Sequence, residues 1–104
     1  MIDFGYIYVL ENEKVPGLVK IGFTCSLPEE RCKDLNSATG VPGKWAIFDQ
    51  FFVCRDVQVV ERHIHTELTR HNVGKEFFKM SPETATAQVR KFVQKFKRLH
   101  QNRW

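Results

Sequence analysis

No acidic residue follows Glu83 in this 104-residue chain, and no apolar run approaches the roughly 18 residues that a membrane helix needs. Cysteine is scarce: Cys25, Cys32 and Cys54 are odd in number, widely spaced and never arranged as CxxC. That excludes a disulfide framework and a cysteine zinc site, and leaves buried or half-buried free thiols as the expectation. The opening Met1-Ile2-Asp3-Phe4-Gly5 has neither the basic segment nor the apolar stretch of a secretion signal, so a cytoplasmic location is expected. Repeats and low-complexity linkers are also missing, and the length suits a single domain over residues 1–104.

What the chain does have is charge placed unevenly. Residues 1–83 carry ten Lys/Arg against twelve Asp/Glu, whereas residues 84–104 carry six Lys/Arg and no acid. The whole net charge of +4 therefore comes from the last segment. Such a stripe suits phosphate binding, and it equally suits a solvated helix face. Lys91, Lys95 and Arg98 are the candidate nucleic-acid contacts within it.

Residues 5–11 (GYIYVLE) and 18–24 (LVKIGFT) read as two strands, with the turn at Pro16-Gly17 making them a hairpin. Gly22 inside the second strand predicts a bulge or a close backbone approach. A helix should follow, capped by Ser26, with Pro28 in its first turn and Arg31, Cys32, Leu35 and Ala38 on one side. After the glycine- and proline-rich 37–44 comes the most strand-like run, 45–54. Asp56 can cap a helix over about 57–71 with the stripe Val57, Val60, Ile64 and Leu68. KEFFKM reads as a connecting strand or loop. Ser81-Pro82-Glu83 then starts an amphipathic helix over about 82–100, marked by Ala85, Val89, Phe92, Val93, Phe96 and Leu99. The expected class is α+β: a small antiparallel three-stranded sheet flanked by helices, in the order ββαβα and then the C-terminal helix.

Charged groups at the margin of an apolar helix face are informative, because burying a charge without a partner is costly. Arg31 and Glu61 both sit at such margins, and an ion pair between them would satisfy both. His65 is one turn beyond Glu61 on the same side, a spacing that can share a metal or orient a water. His63 points elsewhere. Tyr6 and Tyr8 share one side of the first strand, while Lys20, Gly22 and Thr24 share one side of the second. The hairpin can thus bring a tyrosine hydroxyl towards a lysine amine.

Taken together, these positions resemble the GIY-YIG nuclease superfamily over roughly residues 4–80. The first motif corresponds to Tyr6-Ile7-Tyr8 after Gly5, and the second to Lys20-Ile21-Gly22, eleven residues beyond Val9. Arg31 matches the helix arginine, and Glu61 within VVERHIH matches the metal-binding glutamate. The set GYIYVL, PGLVKIG, EERCKDLNSATGVP and KEFF is especially similar to the compact, phage-associated, DNA-binding branch, where KIG replaces YIG.

The resemblance implies a divalent-metal-dependent endonuclease cutting DNA phosphodiester bonds, or a catalytically silent nucleic-acid-binding module of the same fold. In the first case Glu61 holds one Mg2+, for which Mn2+ can substitute. Arg31 contacts phosphate, and Tyr8, with Tyr6 as the other candidate, activates or positions water. Lys20 and the metal lower the phenol pKa, or Lys20 contacts phosphate itself. His65 and Glu76 support the metal residue or the strand. Either single- or double-stranded DNA fits these roles; one site per chain nicks a duplex, so cutting both strands calls for a homodimer.

Overall fold

A computed structural model of the chain describes residues 3–37 and 43–100. Strands β1 (Gly5–Asn12) and β2 (Leu18–Thr24) form the first hairpin, with Tyr8 opposite Gly22 and Leu10 opposite Lys20. The turn is fastened by the buried Asn12, whose Oδ1 accepts from the Lys14 amide at 3.0 Å, and Gly17 supplies the positive φ of +81° that other residues resist. Helix α1 (Pro28–Asn36) follows, then strand β3 (Trp45–Val53) and helix α2 (Val57–Glu67). A 3-10 turn over Thr69–His71 leads into the short strands β4 (Asn72–Gly74) and β5 (Phe77–Lys79), and helix α3 (Pro82–Leu99) completes the fold.

The sheet has five strands in the order β3-β1-β2-β5-β4, all neighbours antiparallel, which corrects the expected three-stranded sheet. The two added strands are three residues each, too short for alternation to announce them in sequence. Pairing with β2, from Leu18–Lys79 to Lys20–Phe77, is what makes KEFFKM strand.

One sheet face carries the main core. Ile7, Val9, Val19, Ile21, Val53 and Phe78 pack there against Val57, Val60, Ile64 and Leu68 of the α2 region and Ala85, Val89 and Val93 of α3. The expected α2 stripe is thus buried throughout, whereas Leu99 of the α3 stripe is 71% exposed. The opposite face carries Tyr8, Leu10 and Trp45 beneath Cys32 of α1. Asn36 ties α1 to β3 as a strand partner would: its Nδ2 donates to the Trp45 carbonyl at 2.8 Å, and its Oδ1 accepts from the Trp45 amide at 2.7 Å.

Several local expectations change. Leu27, not Ser26, occupies the N-cap position of α1, because Ser26 is engaged with Thr24 Oγ1. Asp56 does stand at the start of α2, but with a φ of 53° its carboxylate turns to Arg55 rather than capping. The helix ends at Glu67 rather than near 71, with the 3-10 turn beyond it. Ser81 caps α3 as expected, its Oγ accepting from the Thr84 amide at 3.1 Å. Cys32 is buried and Cys54 half-buried, but Cys25 is exposed. Ala38 and most of the 37–44 loop lie outside the described residues. No helix among the described residues is long and apolar enough to cross a membrane.

Candidate active site

Tyr8 stands at the centre of β1 with its side chain on the α1 face, 1% exposed. Directly opposite on β2 is Gly22, and the reason for glycine is space. A Cβ there would meet Glu76 Oε1 and lie 2.6 Å from the Tyr8 hydroxyl. The expected close approach at Gly22 is therefore made by two side chains. The sheet's irregularity lies elsewhere, between Val9 and Leu10 against β3.

Glu76 reaches this point because the ladder between β2 and β5 runs one step past its strand residues. The Ile21 amide donates to the Glu76 carbonyl at 2.9 Å. The Glu76 carboxylate then receives the Lys20 ammonium at 3.3 Å, and Lys20, only 6% exposed, also lies over the Phe77 ring at 4.8 Å. This pairing meets the requirement that a buried lysine have a partner. Lys20 is thereby committed to Glu76, not to Tyr8.

Arg31 comes from the first half of α1 and hydrogen-bonds the Tyr8 hydroxyl. A guanidinium only donates, so the phenol oxygen accepts and keeps its own proton available. Burial raises the Tyr8 pKa, the Glu76 charge raises it further, and Arg31 opposes both. The resemblance implies a phenol lowered by Lys20 and a metal; Lys20 is engaged by Glu76 instead, and burial and that carboxylate raise the phenol. The Arg31–Glu61 ion pair considered from sequence gives way to the Arg31–Tyr8 contact.

Glu61 belongs to α2, on the other side of the sheet, yet its charge is felt at both Tyr8 and Glu76. The route is the outer edge of β2, where the ladder to β5 ends with the Ile21–Glu76 hydrogen bond. His65 marks that edge. Its Nε2 lies 2.8 Å from the Ile21 carbonyl and 3.7 Å from Glu61 Oε2, and its ring meets Phe78 edge-on at 4.9 Å. Because a carbonyl only accepts, Nε2 carries the proton. Burial raises the Glu61 carboxyl pKa; His65 lowers it and Glu76 raises it.

Tyr8 and Glu76 therefore meet at Gly22, with Lys20 paired to Glu76 and Arg31 to Tyr8, while His65 and Glu61 approach the same edge of β2 at Ile21. Tyr6 is not part of that cluster: its ring packs edge-on against Phe52 at 5.5 Å. Lys91, Lys95 and Arg98 lie on α3, which covers the sheet face opposite the Tyr8 side. Glu76 was only a tentative candidate in sequence, since its partner Lys20 is 56 positions away.

Among the described residues, no three His, Cys, Asp or Glu side chains converge as a ready-made metal group. The donor chemistry nevertheless fits a hard cation. The Glu76 charge disfavours that of Glu61, and a half-buried carboxylate suits Mg2+, which keeps several waters and needs few protein ligands. Beside this cluster, Arg62, His65, Thr66, Thr69, Asn72 and Lys75 line an open polar hollow of about 270 Å3.

The T5orf172 domain pattern matches residues 5–96, nearly the whole chain and the entire cluster. The chain belongs to the T5orf172 domain family. T5orf172 is a phage-associated domain related to nuclease folds of the GIY-YIG and HNH kind. No curated protein and no solved structure matches the chain. Within the T5orf172 match fall all the elements that build the site, from Tyr8 on β1 to Glu76 before β5.

Proposed function

We propose that this T5orf172 domain is a GIY-YIG-type endonuclease that cuts DNA phosphodiester bonds with one divalent metal ion. The observation that carries the reading is the convergence on Gly22. A buried tyrosine and the Glu76 carboxylate meet there, Arg31 bonds the tyrosine, and the Glu61 carboxyl is near enough for the Glu76 charge to raise it. Such costly juxtapositions of titratable groups are characteristic of functional sites.

Phosphodiester hydrolysis needs an in-line nucleophile and relief of charge on the phosphate. Arg31 donates to a phosphate oxygen while holding the Tyr8 hydroxyl. Tyr8, a neutral phenol, orients the attacking water through the proton that Arg31 leaves free. Glu61 is the residue that would hold Mg2+, or Mn2+ in its place, and the ion would supply positive charge to the phosphate. His65, held by the Ile21 carbonyl, stands 3.7 Å from Glu61 and limits where its carboxylate can lie. Lys20 neutralises Glu76, which limits the repulsion a phosphate would meet.

The raised Tyr8 pKa and the commitment of Lys20 to Glu76 favour a second reading, a nucleic-acid grip of the same fold without cleavage. The two part on one experiment: labelled single-stranded and duplex DNA incubated with and without Mg2+, using the native chain and Glu61→Ala. The nuclease reading expects Mg2+-dependent cutting by the native chain, at least a hundredfold loss in the variant, and nearly equal binding by both. Tight binding with no cutting by either protein would establish the grip instead.

A further inference from the structure

Among the described residues, the site face of the sheet is only half covered. Helix α1 rests on the end that carries Leu10, Trp45 and Ile47. At the other end, Tyr6 pairs with Phe52 across β1 and β3, and Phe4 leads into the same corner. Phe4 is 60% exposed and Phe52 49% exposed, while their ring centroids lie 6.2 Å apart and Tyr6 meets Phe52 at 5.5 Å. The bulge between Val9 and Leu10 brings Phe52 to this face together with Trp45 and Ile47, although the numbers differ in parity. Alternation puts Tyr6 on the same face as Tyr8, about 6.7 Å before it along the strand. The result is an aromatic ledge at a sheet edge, one step from the hydroxyl that Arg31 holds.

Exposed aromatic clusters of this kind mark contact surfaces. We propose that the ledge stacks an unpaired base of the strand whose phosphate lies at Arg31 and Tyr8, so that the domain acts on single-stranded or locally unpaired DNA. This rests on the nucleic-acid reading above and adds the substrate's strand state. Duplex bases are stacked on their neighbours and present no free face, whereas an unpaired base offers one to any ring. A second copy of the chain is a poorer occupant. The exposed parts of the three rings amount to about 250 Å2, since an aromatic side chain exposes roughly 200 Å2. A stable interface needs about 800 Å2 per partner.

The test is equilibrium binding without divalent metal, so that no strand is cut. It compares a fluorescein-labelled single strand, its duplex, and the single strand with one abasic nucleotide at successive positions. Phe52→Leu removes the stacking ring but keeps an apolar side chain at an exposed position, and circular dichroism checks its fold. The native chain should prefer the single strand. Phe52→Leu should lose about fivefold to tenfold on it and little on duplex, as stacking on one base implies. An abasic position that weakens the native chain should cost Phe52→Leu nothing further. Equal affinity of native and variant for the single strand would overturn the ledge alone, and so would a loss of equal size on duplex. Native dimers that Phe52→Leu dissociates would make the ledge a subunit contact and overturn it too. No binding to any DNA would overturn the ledge and the nucleic-acid reading together.

Discussion

At the scale of single residues, the site is assembled against the interests of stability. Burial and the Glu76 charge raise the Glu61 carboxyl above its unfolded value, even with His65 opposing them. Folding therefore opposes the charged form. The group is best tolerated at pH below its unfolded pKa, and its cost grows as pH rises through the raised folded value. Glu61→Gln should raise Tm at neutral pH by a few °C, the response of a domain this size to about 1 kcal/mol. That gain should vanish as the solution is acidified into the ordinary carboxyl range, which thermal melts across pH will show. Gly22 makes the opposite case. Gly22→Ala would drive a Cβ against Glu76 and the Tyr8 hydroxyl, and Tyr8 has no room to withdraw. Overpacking of this kind costs about 1–3 kcal/mol, so Tm should fall and any cleavage should fall with it.

At the scale of elements, the basic helix and the site belong to different sides of the molecule. Helix α3 buries Ala85, Val89 and Val93 in the core on the far face of the sheet, and Arg90 is tied to Asp49 of β3 at 3.3 Å. Lys91, Lys95 and Arg98 thus contribute through their field more than through contact with a strand lying at Arg31. Changing all three to Gln should slow DNA association several-fold at low salt, as loss of electrostatic steering does. Cleavage at saturating DNA should stay within about twofold of native, because no group at the reacting phosphate changes. Stopped-flow association at two ionic strengths, beside a single-turnover cleavage assay, checks both.

The strong elements were legible because their signals are local. The hairpin's aromatic and β-branched runs, the Val57/Val60/Ile64/Leu68 stripe and the Ser81-Pro82 start each appear in the structure where the sequence puts them. Strands β4 and β5 were not legible as a pair, since three residues cannot display a period and the pairing of β5 to β2 joins positions more than half the chain apart.

At the scale of the whole molecule, the topology brings Glu61 and Tyr8 together from opposite faces of one sheet. Because β5 leaves the outer edge of β2 at Ile21, His65 and Glu61 can come round it from α2. No spacing in the sequence encodes that passage. The sequence by itself determined which side chains lie on a common strand or helix face, because those relations follow from fixed backbone periods. Together with the family resemblance, those relations nominated Tyr6, Tyr8, Lys20, Arg31, Glu61 and His65. Only the tertiary structure decided who partners whom: Lys20 with Glu76, Arg31 with Tyr8, Tyr6 with Phe52. It also decided the direction of the Tyr8 pKa, since burial and the nearness of a charge from another strand are properties of packing, and packing is set by the whole chain at once.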